Sequence, residues 1–346
     1  MDEKKVKSFF RDKRVVITGG AGFIGSNLAI KLVGLGAKVT LIDSMIPEYG
    51  GNLFNIKEIE DKINLNLSDV RDTRSMDSLI RGAELMFNLA GQVSHIDSMK
   101  DPYTDLEINA KSQLSMLESC RKYNPGIKVV FASTRQIYGR PEYLPVDERH
   151  PLRPRDVNGI NKLAGEWYHV LYHNTYGIRT VCLRMTNTYG PRLLMKHNRQ
   201  GFIGWFIRRV IDGEEIRIYG TGRQKRDLNY VDDVVDALLI CGCNESLNGE
   251  IFNLGNFPPI SLEEIAKLLI KINTSGSYRL VPFPEEKEKI DIGDYYASYE
   301  KFKKKTGWSP RISYEEGFKR TMEYYKKNRR HYWQPQHLCE KFYTVT

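Results

Sequence analysis

Three glycines at a fixed spacing, Gly19, Gly22 and Gly25, carry the first chemistry this chain can do. They fall in Gly19-Gly20-Ala21-Gly22-Phe23-Ile24-Gly25, straight after the apolar run Val15-Val16-Ile17. A turn of this kind makes a diphosphate site. The first glycine permits the tight reversal, the second lets the backbone approach the anion, and the third lets the following helix pack close to the strand. The anion then meets unpaired N–H groups at the positive end of the helix that Phe23 and Ile24 begin. Asp43 closes a second apolar run, residues 38–42, where a carboxylate accepts hydrogen bonds from ribose hydroxyls. The chemistry implied is the binding of a dinucleotide. Asp43 would repel a 2′-phosphate, and Ser44-Met45-Ile46 offers no arginine to receive one, so NAD is expected rather than NADP.

The elements that must hold these residues alternate in type. Residues 15–17 have the length and β-branching of a buried strand, and Leu28, Leu32 and Leu35 recur on one face of the helix after it. Strand-like runs at 63–66, 85–88, 128–132 and 180–183 are separated by helical patterns, the longest over 104–123 and 156–176. Such alternation implies an α/β fold with a parallel, doubly wound sheet. After Tyr189-Gly190-Pro191 the pattern changes. Segments 190–228 and 258–346 mix short strands, helices and turns and read as a smaller C-terminal lobe. A helix over 231–241 and a strand over 250–254 return to the large one.

Composition excludes several classes. The chain has 346 residues, 41% hydrophobic and 27% charged, which suits a two-lobed globular protein. Its longest apolar runs fall short of a membrane span. The start, MDEKKVKSFFRDKR, lacks the apolar centre of a secretory signal. Five cysteines, at 120, 182, 241, 243 and 339, have no metal-ligand spacing and read as reduced thiols of a cytoplasmic protein. The net charge of +9 invites a nucleic-acid reading, but the basic residues are dispersed. The densest cluster, 326–330, closes the last helix, where cations favour the dipole. No nucleic-acid, membrane or metal partner is expected.

The ordered series of motifs resembles the extended short-chain dehydrogenase/reductase superfamily, specifically its nucleotide-sugar epimerases and dehydratases, over about residues 13–325. It comprises the glycine turn, Asp69-Val70-Arg71-Asp72, Asn88-Leu89-Ala90-Gly91-Gln92, Asn109, Ser133-Thr134 with Tyr138-Gly139, Lys162, Arg184 with Asn187-Thr188-Tyr189-Gly190-Pro191-Arg192, and Arg226-Asp227 before Tyr230-Val231-Asp232-Asp233. The resemblance implies a Rossmann domain over 1–189 plus 229–257 that holds NAD, and a nucleotide-sugar lobe over 190–228 plus 258–346. Asp43 would hold the adenosine ribose, Asp69 and Val70 would lie near adenine, and Leu89, Ala90 and Gly91 would run along the cofactor. Lys162 would bond the nicotinamide ribose, and Thr134 would meet the reacting sugar hydroxyl. Asn187 and Arg226 would contact the substrate diphosphate, with Gln92, Ser94, Gly201, Phe202 and Tyr219 also on the substrate. Helices 104–123 and 156–176 would pair with their mates in a homodimer.

Plainer readings stand beside these. Asp69 and Asp72 can cap a helix beginning near Thr73, Asn109 can be a buried brace, and Arg226-Asp227 can be a surface ion pair. The segment Gln200 to Phe206 resembles the sugar-nucleotide loop of CDP-tyvelose 2-epimerases, and equally reads as a core helix.

The departures are as informative. The family carries a catalytic tyrosine four residues before the lysine, and here that position is Asn158. An amide does not titrate, so it cannot take a hydroxyl proton. The spacing nevertheless puts Asn158 and Lys162 on one helical face, so Asn158 is expected to line the sugar pocket. Lys162 is the first choice for the proton acceptor, followed by His95 or Tyr138. Dehydratases and decarboxylases of the family carry acids just after the threonine, where this chain has Arg135 and Gln136. A phosphate-binding arginine is replaced in Asp291-Ile292-Gly293-Asp294, with Lys287 or Lys289 as substitutes. The expected activity is an NAD-dependent, UDP-hexose 4-epimerase-like inversion through transient oxidation of a ring carbon. An NDP-sugar dehydratase, 4-dehydrogenase or CDP-hexose 2-epimerase is the alternative, and a binding protein with its chemistry lost is the alternative of another class.

Overall fold

The computed structural model describes residues 3–46, 48–285 and 291–333. Lys287 and Lys289 therefore lie outside the described residues. Six strands in chain order, β1 (Arg14–Thr18), β2 (Lys38–Ile42), β3 (Ile63–Asn66), β4 (Leu85–Asn88), β5 (Lys128–Thr134) and β6 (Arg179–Met185), join the strand Ile251–Asn253 in one sheet. The order is Ile251–Asn253, β6, β5, β4, β1, β2, β3, with every pairing parallel. The chain runs outward from β1 to one side, then returns and runs outward from β4 to the other. The crevice above β1 and β4 is thus the switch point at which open α/β sheets bind ligands.

Alternate side chains of these strands feed two cores. Val15 and Ile17, with Leu85 and Phe87, pack into the core containing Leu28, Leu32 and the apolar face of helix Val231–Cys243. Val16, Met86 and Val129 point the other way, onto Met116, Leu117 and Ile80. This is the period of two of a strand covered on both faces.

Register sets the level at which the strands deliver their loops. Thr18 pairs with Ile42 on one side and Asn88 on the other, so Gly19, Asp43 and Leu89 emerge side by side. Asn88 pairs with Phe131, so β5 overhangs its neighbour and carries Thr134 further. Gly19 turns with φ +67, and a Cβ built on Gly25 would stand 2.2 Å from the Gly19 carbonyl oxygen. Only glycine fits there.

Two helical details differ from the sequence pattern. The helix expected over 104–123 is α-helical at Pro102–Leu106, a π turn at Glu107–Lys111, and α-helical again at Ser112–Tyr123. The extra residue turns Ile108 toward the crevice. The Ser112 hydroxyl (2.6 Å) and the Gln113 amide (3.2 Å) donate to the Ile108 carbonyl. The second long helix is Val157–Tyr176, with Asp156 outside it as cap, accepting from the Gly159 N–H at 2.7 Å.

A buried ion pair locks this helix to the sheet. Arg184 on β6 donates to Glu166 from Nη2 at 2.6 Å and from Nε at 3.0 Å, with side-chain exposures of 3% and 0%. The Ser133 hydroxyl adds a bond of 2.5 Å to the same carboxylate, and Arg184 Nη1 donates to the Tyr138 hydroxyl at 2.6 Å. The ends of β5 and β6, the helix and the turn Arg135–Tyr138 are thereby one unit. Beyond Met185, short strands pair (Asn187–Tyr189 with Leu228–Tyr230, Ile216–Tyr219 with Tyr278–Val281, Lys225–Arg226 with Ile260–Ser261), and of this part Asn187, Thr188, Leu193, Gln200, Gly201 and Ile203 wall the crevice.

Candidate active site

The crevice is a cavity of about 330 Å³. Its floor is the glycine turn, with Gly19, Gly22, Phe23, Ile24 and Gly25 on its wall. Helix Phe23–Gly34 starts at Gly22 with no side chain capping it, so its first N–H groups point into the cavity without a protein partner of that kind. Thr18, at the end of β1, accepts from the N–H groups of Leu89 and Ala90 at 3.1 Å each and donates to Asn88 at 2.9 Å, clamping the β1 and β4 loops together. The sequence reading missed Thr18, although a hydroxyl ending the first strand was its signal.

Asp43 accepts from the Ala21 N–H at 3.0 Å and the Met45 N–H at 2.9 Å. Burial raises its pKa, while the backbone N–H bonds pull the other way. A carboxylate has about four acceptor sites, so capacity remains for ribose hydroxyls. Ser68, Asp69 and Val70 extend the wall beyond Asp43, with Asp69 held by Arg71 at 2.8 Å. Asp72 instead caps helix Thr73–Arg81, as the plainer reading had it.

Leu89, Ala90 and Gly91 line the opposite side. A Cβ on Gly91 would sit 2.9 Å from both Lys162 Nζ and Asn109 Oδ1. Asn109 Oδ1 is buried with no partner, while its amide nitrogen donates to the Gln92 carbonyl at 2.9 Å and to Asp105 at 3.1 Å. Lys162 is 5% exposed, donates to the Ala132 carbonyl at 3.2 Å and lies over the Phe131 ring. Burial lowers its pKa to about 8, against the pull of the Asp105 carboxylate. These features fit a dinucleotide. An uncapped helix end meets a diphosphate, Asp43 has spare acceptors for a ribose, and Gly91, where a Cβ would crowd Lys162, lets the loop after β4 run close to the lysine.

The remaining wall is formed by Ala132, Ser133, Thr134, Arg135, Gln136 and His95 on one side, and Asn187, Thr188, Gln200, Gly201 and Ile203 on the other. The segment ahead of Phe202 is tied down by Glu48, which binds Lys196 at 2.9 Å and Arg199 at 2.6 Å. Arg199 also reaches Asp97 at 3.2 Å.

Six residues expected on the wall are elsewhere. Asn158 is 1% exposed and absent from the lining. Its amide donates to the Gln92 carbonyl at 2.7 Å and to buried Asp105 at 2.9 Å, so the pocket-lining expectation is corrected. Asp105 also accepts from Asn161 at 2.8 Å, and this carboxylate draws the asparagines inward. Gln92 and Ser94 are buried and close on each other, with the Ser94 N–H 2.6 Å from the Gln92 amide oxygen, and Ser94 caps helix His95–Lys100. Phe202 packs on Phe206, and the helix buries Ile203, Phe206 and Ile207, whereas the core-helix reading had Phe202, Trp205 and Phe206 inside and Phe202 and Trp205 are only half-buried. Tyr219 sits against Phe283. Arg226 is 7% exposed, with its guanidinium on the carbonyls of Lys225 (2.8 Å) and Gly293 (2.5 Å). Burial, then the charge of Arg135, lowers the Arg226 pKa to about 10. Arg135 was not expected at the site and is on its wall.

Tyr138 is fully buried, its hydroxyl donating to Asn253 at 2.7 Å, and burial lifts its pKa to about 12. It is not a proton acceptor for the cavity. Among the described residues no group of three or more His, Cys, Asp or Glu is placed to hold a metal, and no helix is long and apolar enough to cross a membrane.

A parallel switch-point cavity with a glycine-lined diphosphate floor, a ribose-facing acid and a buried lysine defines a dinucleotide-dependent α/β enzyme fold. The model of the NAD dependent epimerase/dehydratase family matches residues 15–255. A protein of Methanocaldococcus jannaschii provisionally named a UDP-glucose 4-epimerase is 35% identical over 323 residues, 91% of this chain and 99% of that one. A UDP-N-acetyl-alpha-D-glucosaminuronate decarboxylase of Bacillus cytotoxicus is 31% identical, covering 91% and 98%. The solved UDP-glucose 4-epimerase of Thermotoga maritima with UDP-glucose superposes with a TM-score of 0.81 at 32% identity, over 91% of this chain and 99% of that one. The chain belongs to the NAD dependent epimerase/dehydratase family.

Lys162 gives a pH-dependent prediction. Its folded pKa lies below that of an exposed lysine, so between about pH 8 and 10.5 the unfolded chain binds more protons and stability rises with pH. Lys162→Met removes the buried charge. Without bound nucleotide, the variant should be more stable than wild type at pH 7 by about 3 kcal/mol, a gap that closes toward pH 10.5. Denaturant titrations across this range measure it, and a gap that widens with pH would refute it.

Proposed function

We propose that the protein is an NAD-dependent epimerase of a nucleotide-activated hexose, of the UDP-hexose 4-epimerase kind. The observation that carries this reading is one cavity that sets the dinucleotide floor against a wall of Thr134, Lys162 and Asn187. When bound, NAD would supply a hydride acceptor that gives the hydride back, so no net oxidation results. Asp43 and the N–H groups after Gly22 would hold the cofactor, and Lys162 its second ribose. Thr134 would hydrogen-bond the sugar hydroxyl, its own Oγ1 being fixed by the Gln136 N–H at 3.2 Å.

One further feature favours epimerisation over elimination. No carboxylate follows Thr134, where Arg135 and Gln136 stand. For the diphosphate we propose Arg135 with Asn187 on the wall and Arg226 behind them. Arg135 and Arg226 are close enough for one charge to depress the other's pKa, and a diphosphate would relieve that repulsion. Arg226→Ala should weaken nucleotide-sugar binding by about 1.5–3 kcal/mol with NAD content unchanged. Calorimetry in which both ligands weaken together would make Arg226 structural.

Helix Val157–Tyr176 exposes Ile160, Trp167 and Leu171 at 54%, 51% and 53% on one stripe, beside Leu106 and Leu114 of the neighbouring helices. We propose that this face pairs with a second copy in a homodimer. Wild type should sediment as a dimer and Trp167→Glu as a monomer. A monomeric wild type would remove this part of the proposal.

The activity is tested by incubating the NAD-loaded protein with UDP-, CDP-, GDP- and dTDP-hexoses and identifying the product sugars. Interconversion of an epimer pair without accumulation of NADH is expected. Loss of water or carbon dioxide, or net NADH, would overturn the reading. The burial of Asn158 favours a second reading, a protein that binds NAD and a nucleotide sugar without turnover, and tight binding with no product from any of them would support it.

A further inference from the structure

We propose that His95 is the acid–base group of this site and Asp156 the residue that positions it. The inference rests on the epimerase reading and names the group that handles the proton. In the cavity wall His95 stands with Thr134, Arg135 and Gln136. Its Nδ1 is hydrogen-bonded to Asp156 Oδ2, and its Nε2 lies 2.8 Å from the Gln136 amide nitrogen.

With the Gln136 amide nitrogen toward the ring, these two contacts select one tautomer. An amide nitrogen has hydrogens and no acceptor lone pair. The Gln136–His95 contact therefore requires that Gln136 donate and that Nε2 accept. The ring proton is then on Nδ1, directed at the Asp156 carboxylate. Asp156 is 7% exposed, and its other oxygen accepts from the Gly159 N–H at 2.7 Å, so the carboxylate is held from two sides. Burial would raise its pKa, but the His95 bond and the Gly159 N–H outweigh burial and keep it below the ordinary carboxylate range. An ionised, fixed carboxylate on Nδ1 leaves Nε2 as an oriented base toward the cavity and stabilises the imidazolium once it forms. The single Nε2 lone pair is taken by Gln136 here, so a sugar hydroxyl would displace the Gln136 amide in order to donate to it.

Three other titratable groups around this wall are held elsewhere. The Tyr138 hydroxyl is committed to Asn253 and fully buried. Asp227 is buried with its carboxylate on Thr186 and the Ala297 N–H, and does not reach the wall. Lys162 donates to the Ala132 carbonyl and borders the gap at Gly91. In the step assigned to His95, the hydroxyl proton passes to Nε2 as the O–H bond breaks and the ring carbon's C–H leaves as hydride to NAD. Nε2 returns the proton to the oxygen when the hydride returns. Protons and electrons end where they began.

The test has two arms on the holoprotein. The first is ¹⁵N-histidine NMR, with the His95 signals assigned by their loss in His95→Gln. Wild type should show the Nδ1–H tautomer. In Asp156→Asn the amide oxygen can still cap the helix at Gly159, but its NH₂ faces Nδ1, so the ring should switch to Nε2–H, and kcat should fall with the switch while KM holds, a split that a purely structural role would not produce. The second arm is turnover, with NAD content checked by absorbance after denaturation. Both variants should lose at least about a hundredfold in kcat at unchanged NAD content. An Nε2–H tautomer in wild type, or His95→Gln keeping more than about a tenth of an active wild type's rate, overturns the proposal. A wild type that converts no nucleotide sugar overturns the epimerase reading instead.

Discussion

The proposed catalytic wall of this protein depends on one buried charge pair. Glu166 and Arg184 bind one helix, Val157–Tyr176, to the ends of two strands, and through Ser133 and Tyr138 they reach the turn that follows β5. Ion pairs removed from water are costly unless their remaining valences are filled. Here Ser133 and Tyr138 fill them. Lys162 lies one helical turn before Glu166, and Thr134 follows Ser133, so the same pair sets both. Removing either partner would leave an uncompensated charge in the core, and the helix carrying Lys162 would lose its anchor to the sheet.

The cofactor half is governed by backbone geometry. A parallel register brings three loops to one level, and the close approach of Gly25 to the Gly19 carbonyl lets a helix begin directly over the first of them. Its consequences are local in sequence, so this half was legible there. Gly19, Gly22, Gly25, Asp43, Asp69, Val70 and Leu89 to Gly91 all line the cavity. The sheet was legible for the same reason, since each strand is a short apolar run followed by its own loop.

The substrate half was not. Asn158 sits one turn from Lys162 on the same helical face, and helical spacing alone sends it to the cavity. What spacing cannot encode is the buried Asp105 carboxylate, which accepts from Asn109, Asn158 and Asn161 and turns Asn158 away. Gln92 and Ser94 satisfied each other instead of a ligand, and Arg226 was drawn onto backbone carbonyls. The π turn at Glu107–Lys111 was hidden because its residues have ordinary helical types. Asp156, read only as the start of a helix, is both its cap and the partner of His95, a pairing set by tertiary contact alone.

The central claim is that a ring carbon is oxidised and re-reduced in one cavity, with the hydride never lost from it. The direct measurement uses a nucleotide sugar fully deuterated on the carbon skeleton of its hexose, converted in ordinary water and analysed by mass spectrometry and NMR. The account predicts an epimeric product that keeps all of its carbon-bound deuterium. Replacement of deuterium by solvent hydrogen at the inverted carbon would mean that a proton, not a hydride, is removed there, and would contradict the account.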